Sequence, residues 1–330
     1  FNCEYLLDLA GDAQKNSVFD VRFRHLRYSK IPANAHQTHY FSALAAGNFG
    51  GDGLSKNGWI KMGGRKICLW RWKDGRIMRG NIVRNEERFV MRYNSVLDLH
   101  THTLVSGHAY CSLREMAKAA SEKGLEVLGI TEHAPAMPGT CHKYYFENLK
   151  IVPREMYGIQ LLLGSEVNIL DAQGTVDLAQ RTLERMDVVI ASLHMPCMKP
   201  GSKLENTESY LNVMKNPYVN IIGHPDDGRY EIDYEALVQG AKEYGKILEL
   251  NNHSMDPDCN RQNAVENDTV MLNLCKKYGV PVVMDSDAHF DLLIGEFDLA
   301  RNLLEKLDFP EEMVLNRSAD AIREYVNRKF

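Results

Sequence analysis

The sequence predicts an α/β fold built on a parallel sheet, and two observations carry this prediction. From Val96 onward, short runs rich in Val, Ile and Leu alternate with stretches of helical periodicity, which is typical of parallel strands covered by helices on both faces. Polar residues follow each of these apolar runs at once. Periodicity alone leaves open whether the sheet is open or closed into a barrel.

The first ninety residues do not follow this pattern and are poorly specified. They hold all three tryptophans and a surplus of basic residues, 15 Lys and Arg against 8 Asp and Glu, whereas residues 91–330 carry a formal charge of −12. Two interpretations compete. Residues 1–90 are a small basic N-terminal extension, or they are upstream sequence translated in frame, with the natural start at Met91. In both cases residues 91–330 form the organised domain.

Seven strands are predicted in this domain. In chain order they are Val96–Leu99, Leu125–Thr131, Ile159–Ser165, Val188–Leu193, Val219–Gly223, Ile247–Leu250 and Val280–Met284. Ser112 and Glu115 form a capping box that opens a helix through Ala120. A second helix runs from an N-cap at Asp233 to Tyr244, before Gly245. Further helices are predicted at Asn267–Tyr278, Phe297–Leu307 and Ala319–Arg328.

Composition excludes several classes of function. The formal net charge of −5 argues against a nucleic-acid clamp, and extended nucleic-acid binding is disfavoured. No run approaches the roughly 18 apolar residues that a membrane span requires. The seven cysteines include no CxxC pair, which is typical of reduced thiols and predicts a cytoplasmic protein. The composition leaves open whether the protein forms a homo-oligomer.

Histidines and acidic residues gather where the predicted strands end. His100 and His102 come after the first strand, and two-residue spacing would place them on one face of it. The remaining strand-end groups are His108 in the first loop, Thr131–His133, Gly164–Glu166, Ser192–His194, Gly223–Pro225, Asn251–His253 and Asp285–His289. Ligands collect at the carboxyl ends of parallel strands. An isolated His-x-His pair is more often an ordinary surface or core pair than a pair of metal ligands. The whole set of strand-end histidines and acidic residues, however, predicts a metal site.

The types of ligand limit which metals the site can bind and which reactions are expected. Imidazoles and carboxylates without thiolates suit zinc, manganese, iron or nickel. The donors exceed what one ion can bind, so two or three ions are predicted. Clustered metals activate water and clamp the attacking and leaving oxygens of a phosphoryl displacement. Hydrolysis of a phosphate ester is therefore the expected chemistry.

In this order, the motifs resemble those of the polymerase and histidinol phosphatase (PHP) family, most closely its YcdX-like phosphatase branch. The resemblance covers Met91 to about Lys329. It rests on Asp98–Thr103, Ser106–Tyr110, Ile130–His133, Gly164–Asn168, Ser192–His194, Gly223–Pro225, Leu248–Asn252 and Asp285–His289. It implies that residues 91–330 are a PHP-type metallohydrolase with a distorted (β/α)7 TIM-like barrel and a metal site at the C-terminal ends of the strands.

The resemblance also implies three divalent ions, with zinc preferred and manganese or iron as alternatives. The first ion would be held by His100, His102, Glu166 and Asp287, the second by Glu166, His194 and His224, and the third by His108, His133 and His289. Glu166 and Asp287 are the expected catalytic carboxylates, with Asp287 assisting proton transfer. Glu132 departs from the aspartate usual in the family, which predicts a rearranged contact behind the ligands.

The expected substrate is a small phosphate monoester, attacked by a metal-activated hydroxide. Arg229 and Arg261 lie in loops after strands and are predicted to hold its phosphate bidentately. Two alternatives stay open: a nuclease or exonuclease acting on nucleic-acid ends, and a metal-binding protein without turnover. An amidohydrolase is disfavoured, because no predicted strand ends in the lysine that would bridge its metals.

Overall fold

The computed structural model describes residues 92–327 fully and, in residues 1–90, the backbone of five strands. The chain divides into two compact units, residues 1–90 and 91–330. The first unit pairs Leu6–Ala10 with Asp20–Arg24, and Asn57–Met62, Arg65–Lys73 and Arg76–Arg79 form an antiparallel sheet. Met91 lies outside the described residues, so both interpretations of residues 1–90 stay predictions.

The second unit is built on seven parallel strands that are neighbours in chain order. They are β1 (Leu97–Asp98), β2 (Val127–His133), β3 (Ile159–Asn168), β4 (Val189–Ser192), β5 (Ile221–Ile222), β6 (Ile247–Asn251) and β7 (Val282–Asp285). A short antiparallel strand, Glu155–Met156, pairs with the start of β3. The predicted α/β fold with a parallel sheet is confirmed.

Eight α-helices lie in the described part of this unit. They are α1 (Leu113–Glu122), α2 (Tyr144–Asn148), α3 (Gln180–Leu183), α4 (Lys203–Val213), α5 (Tyr234–Tyr244), α6 (Ala264–Tyr278), α7 (Asp298–Lys306) and α8 (Ala319–Ile322). The capping box of α1 and the Asp233 cap of α5 are present as predicted. Among the described residues, no helix is both long and apolar enough to cross a membrane.

The helix predictions differ from the structure in several places: α2, α3 and α4 were not predicted, α6 begins at Ala264 instead of Asn267, and the last helix is shorter than predicted. The sequence pattern did not show α4, because it buries Asn206, Thr207 and Ser209 and so lacks a clean apolar stripe. The last helix was predicted to reach Arg328, but α8 ends at Ile322. Beyond it the chain continues in turns that still bury Val326, so the apolar spacing there reflects burial and not a continuous helix.

The sheet is nearly closed into a barrel, and isolated contacts join β1 to β7. Thr101 pairs with Ala288 in a single parallel bridge. The main-chain N–H of Leu99 donates to Oδ1 of Asp285 at 2.7 Å. The carboxylate of Asp98 accepts from the main-chain N–H of Ser286 at 3.1 Å. These bonds replace the regular ladder that the other neighbouring strands share.

Asn316 adds further hydrogen bonds to this seam between β1 and β7. Its amide nitrogen donates to the carbonyl oxygens of Leu97 (3.1 Å) and Met284 (2.7 Å), and its Oδ1 accepts from the N–H of Met284 at 2.7 Å. The side chain is fully buried. A single residue therefore supplies the hydrogen bonds that a strand partner would give.

We expect Asn316→Ala to lower the free energy of unfolding by about 3 kcal/mol, because each buried group left unpaired costs about 1–3 kcal/mol. In a domain of this size that corresponds to a fall in Tm of roughly 6–12 °C. Thermal unfolding followed by circular dichroism measures it, with the exposed Asn273→Ala as control. A Tm equal to that of the unsubstituted protein would show that the seam does not depend on Asn316.

An apolar cluster fills the barrel on the amino-terminal side of the polar strand ends and contains residues from every strand. Leu162 of β3 and Ile247 of β6 belong to it. Side chains on one face of a strand repeat every two residues, so Glu166 shares the inward face of Leu162, and Glu249 shares that of Ile247. The apolar cluster thus supports a polar layer at the carboxyl ends of the strands.

Candidate metal centre

Glu166 lies at the middle of this polar layer and is fully buried at the carboxyl-terminal part of β3. Its Oε1 is 2.9 Å from Nε2 of His224 and 3.1 Å from Nε2 of His194. Its Oε2 is 3.3 Å from Nε2 of His100 and 2.7 Å from Nδ1 of His133. Each oxygen of one carboxylate therefore faces its own set of imidazoles.

Asp287 provides the second central carboxylate. Its Oδ1 is 3.2 Å from Nε2 of His102 and 3.6 Å from Nε2 of His100. Asp287 and His224 both have positive φ, at 53° and 25°. Non-glycine residues seldom adopt this conformation, which costs on the order of 1–3 kcal/mol and recurs at functional sites. The strained backbone places both side chains at the centre.

Three groups of side chains bring ligand atoms within 4.8 Å of one another. They are His100, His102 and Glu166; His133, Glu166 and His194; and His102, His133 and His289. His100 and His102 follow the end of β1 instead of lying within it, yet their ring centroids are 5.0 Å apart. All of these residues were predicted ligands.

His108 is the predicted ligand that lies furthest out. It is exposed, and its ring centroid is 4.9 Å from that of His133 and 4.8 Å from that of His289. Gly107, just before it, has a φ of 83°, and a Cβ there would lie 2.1 Å from the carbonyl oxygen of Gly139. Only glycine fits this turn, which holds His108 at the edge of the centre.

These side chains fit metal ions. Buried atoms converge here that lie close to one another and yet make no hydrogen bond of acceptable geometry among the described residues: Nε2 of His100, His102 and His194, Nδ1 of His133 and Oε2 of Glu166. Such orphaned groups are rare in proteins. Two ligand atoms on a tetrahedral ion lie about 3.3 Å apart, given metal–ligand bonds of about 2.0–2.1 Å. Nε2 of His100 and Oε2 of Glu166 have this spacing at 3.3 Å.

Side chains behind the ligands fix the orientation of three rings. Nδ1 of His100 is 2.6 Å from Oε1 of Glu249, and Nδ1 of His194 is 2.7 Å from Oδ1 of Asn168. The outer nitrogen of His102 lies 3.2 Å from the hydroxyl of Ser106. With one nitrogen held from outside, the other nitrogen of each ring is aimed at the centre.

Glu132, the predicted departure, belongs to this outer layer. Its carboxylate accepts hydrogen bonds from the hydroxyls of Thr103 (2.5 Å) and Ser106 (2.6 Å). Burial raises the pKa of Glu132. Because Ser106 also contacts His102, the glutamate steadies one of the predicted ligands through a hydroxyl.

Sequence reasoning did not assign roles to Glu249, Asn168 or Ser106. The signal that could have found the first two is alternation, since polar residues at every second position of an apolar strand point to one side. Glu166 and Asn168 share a face of β3, and Glu249 and Asn251 share a face of β6.

Glu249 allows a test of the outer layer. Its second oxygen accepts from the main-chain N–H of His224 at 2.5 Å, so the carboxylate orients two ligands at once. In Glu249→Gln the amide can accept at only one of these positions. We expect metal affinity to fall 10–100-fold, measured by competition with a chromogenic chelator. The exposed Glu243→Gln is the control, and unchanged affinity in Glu249→Gln would contradict this role.

The electrostatics favour the charged carboxylates and the neutral rings that metals bind. Burial opposes the charge of Glu166, but the imidazoles of His194 and His100 outweigh it and keep its pKa well below the ordinary value. Burial lowers the pKa of His102 and lowers the pKa of His289 to about 4. His100 differs: although burial disfavours its charge, Glu249 and Glu166 raise its pKa.

A cleft of about 410 Å³ lies over this centre. Its walls are His108, His133, Met137, His194, Arg229, His253, Asp258, Cys259, Asn260, Arg261, Asp287 and His289. Both arginines predicted to bind phosphate therefore line the cleft.

In the structure, each of these guanidinium groups already binds a carboxylate. Nη2 of Arg261 donates to Oδ2 of Asp287 at 2.8 Å, and its Nη1 donates to Asn251 at 3.1 Å. Nε and Nη2 of Arg229 donate to the two carboxylate oxygens of Asp227 at 2.9 and 2.6 Å. Their bidentate contact with a phosphate stays a prediction.

The fold and this centre define a class of protein: a parallel α/β barrel with a histidine- and carboxylate-rich metal-binding site at its carboxyl end. A model of the PHP domain matches residues 98–308. The chain is 47% identical over 239 residues to a probable phosphatase of Clostridium novyi, covering 72% of this chain and 96% of that one. It is 45% identical over 240 residues to a probable phosphatase of Caldanaerobacter subterraneus, covering 72% and 94%.

The chain belongs to the PHP family, as its motifs predicted. Among solved structures, it is similar to histidinol phosphate phosphatase of Lactococcus lactis, crystallised with zinc, L-histidinol and phosphate. The TM-score is 0.44 at 20% sequence identity, and the match covers 66% of this chain and 95% of that one.

Proposed function

We propose that this chain, a phosphate-ester hydrolase of the PHP family, removes the phosphate from a small phosphate monoester at a centre of three metal ions. Zinc is preferred, with manganese or iron as alternatives. The observation that carries the proposal is the position of Glu166, whose two oxygens face separate sets of imidazoles. A carboxylate that bridges two ions needs this arrangement.

The ligands would be shared among three ions as the resemblance implies. His100, His102, Glu166 and Asp287 would hold the first, Glu166, His194 and His224 the second, and His108, His133 and His289 the third. When bound, the ions would supply Lewis acidity, which neutralises phosphate oxygens and lowers the pKa of water. His133 also lies 2.7 Å from Glu166, which places the third set of ligands directly beside the bridge.

Asp287 would act as the proton-transferring carboxylate. Its Oδ1 faces the histidines, whereas its Oδ2 is held by Arg261 at 2.8 Å. Burial opposes its charge, but His100 and Arg261 keep the pKa of Asp287 well below the ordinary value. The aspartate is therefore ionised and held in one orientation, so its carboxylate is free of a proton of its own.

Arg229 and Arg261 would orient the phosphate in the cleft. Nη1 of Arg229 is not engaged by Asp227, which binds its Nε and Nη2. This leaves one edge of the guanidinium for an anion. The volume of about 410 Å³ and the acidic charge of residues 91–330 both favour a small monoester over a nucleic-acid strand.

A phosphatase screen tests the proposal. The purified protein is assayed against a panel of phosphate monoesters and a 5′-phosphorylated oligonucleotide, with and without a chelator. We expect phosphate release from one or more monoesters, and the chelator should stop it. Shortening of the oligonucleotide without monoester hydrolysis would favour a nuclease. Bound metal without any turnover would favour a metal-binding protein, and either result would overturn the proposal.

A further inference from the structure

Asp177 is an aspartate that lies outside the cleft, in the segment that follows β3. After β3 the chain turns back on itself, and Ile169 pairs with Val176 in an isolated antiparallel bridge. This hairpin brings Asp177, the next residue, back beside Asn168, the last residue of β3. Asp177 is neither a predicted ligand nor one of the groups that directly contact a ligand ring.

The carboxylate of Asp177 accepts hydrogen bonds from three groups. Its Oδ1 accepts from the main-chain N–H of Asn168 at 2.9 Å. Its Oδ2 accepts from Nδ2 of Asn168 at 2.6 Å and from the main-chain N–H of Ala136 at 2.8 Å. Ala136 lies in the loop that follows His133, the last residue of β2. One carboxylate therefore ties the side chain at the end of β3 to the loop after β2.

These bonds fix the direction in which the amide group of Asn168 faces. Its Nδ2 donates to the carboxylate of Asp177 at 2.6 Å and to the carbonyl oxygen of Ala134 at 3.1 Å. An amide nitrogen has two protons to donate, whereas an amide oxygen can only accept. The opposite orientation would therefore place an oxygen against two other oxygens. Because this orientation is excluded, Oδ1 of Asn168 faces His194.

The amide orientation in turn determines which nitrogen of His194 carries the proton. Oδ1 of Asn168 lies 2.7 Å from Nδ1 of His194, and because Oδ1 can only accept, Nδ1 is the donor. In the neutral ring, Nε2 is then left with a lone pair. This nitrogen lies 3.1 Å from Oε1 of Glu166 and makes no hydrogen bond among the described residues. A lone pair aimed at the centre is what a metal ligand needs.

We propose that Asp177 is a positioning residue that sets the tautomer of His194 through Asn168, and so prepares Nε2 of His194 to bind a metal ion. The inference rests on the proposed function in one respect, namely that His194 is a metal ligand. A carboxylate suits this role because it accepts at both oxygens and so allows the amide of Asn168 only one orientation.

An amide at position 177 would lose this control, because it can donate as well as accept. Its nitrogen could bond Oδ1 of Asn168 after that amide had turned over. Nδ2 of Asn168 would then face Nδ1 of His194, and a donor in that place favours the tautomer whose proton is on Nε2. That tautomer has no lone pair for a metal ion.

The zinc affinity of Asp177→Asn tests the proposal, measured on the full-length, zinc-loaded protein by competition with a chromogenic chelator. We expect the affinity to fall 10–100-fold, as for other groups that orient a ligand from behind. Asp171→Asn is the matched control, because Oδ1 of Asp171 accepts from the main-chain N–H of Thr175 at 3.0 Å within the same hairpin. Unchanged affinity in Asp177→Asn, or an equal loss in both variants, would overturn the proposal.

A spectroscopic readout follows the ring of His194 itself. Proton–nitrogen correlation spectra are recorded on zinc-loaded protein with isotope-labelled histidine rings, and the His194 signals are identified by their absence from His194→Gln. The Nδ1–H signal should be protected from solvent exchange in the unsubstituted protein and in Asp171→Asn, and it should be lost in Asp177→Asn. A protected signal in Asp177→Asn would overturn the proposal.

Neither readout depends on turnover, so failure of this inference and failure of the proposed function can be told apart. A protein that binds zinc but hydrolyses no monoester would refute the proposed function. The zinc affinity and the ring signal of the Asp177→Asn variant would still decide the role of Asp177.

Discussion

Replacing Glu166 by alanine is expected to lower kcat/KM for phosphate monoesters by at least about 1,000-fold, or about 4 kcal/mol of transition-state stabilisation. Truncation removes both oxygens that stand between the imidazole sets, so two of the proposed ions each lose a ligand. The surviving histidines would then repel one another whenever they are protonated. Steady-state kinetics and metal content, measured on the same preparation, check this expectation.

Two further variants sharpen this experiment. Glu166→Gln keeps the shape of the side chain but loses the charge and one acceptor, so its defect should follow that of the alanine variant. Glu208→Ala changes an exposed glutamate on α4 and is the control. If Glu166→Ala kept kcat/KM within tenfold of the unsubstituted protein, Glu166 could not bridge two catalytic ions.

Metal removal is expected to have an effect of similar size. Dialysis against a chelator should lower monoester hydrolysis by more than about 100-fold, because the activated water and the charge neutralisation both depend on the ions. Added zinc or manganese should restore it. Tm should fall in parallel, because ligands that bind only the folded state stabilise it.

A chelator already saturated with zinc is the control for this treatment, since it contains the same chelator without free capacity to remove the protein's metals. Activity that persists after the metal content has fallen to a small fraction of one ion per chain would contradict a metal-dependent reaction.

The strand–helix alternation could be predicted because each strand is short, apolar and buried on both faces. The prediction that the sheet closes into a barrel came from the resemblance to the PHP family, because hydrophobic periodicity does not indicate closure. Asn316 and Asp285 make the contacts that close the seam to Leu97 and Leu99. Those contacts span more than 180 residues of sequence, and no local pattern records them.

The candidate site could also be predicted only in part: its ligands could be expected from the sequence, and the contacts behind them could not. Strand ends meet at one edge of a parallel sheet, so their histidines could be expected to converge. The roles of the outer partners could not be assigned, because alternation places Glu249 and Asn251 on one face of β6 but does not show which ligand each of them contacts. The hydrogen bond between Arg261 and Asp287 could not be predicted either, because only folding brings their two loops together.

The most direct measurement of the central claim is a titration of metal-free protein with zinc, in which bound metal and monoester hydrolysis are followed together. We expect hydrolysis to appear only as binding approaches three ions per chain, and to remain at background below that ratio. Full activity with one bound ion, or with none, would contradict a three-metal phosphatase centred on Glu166.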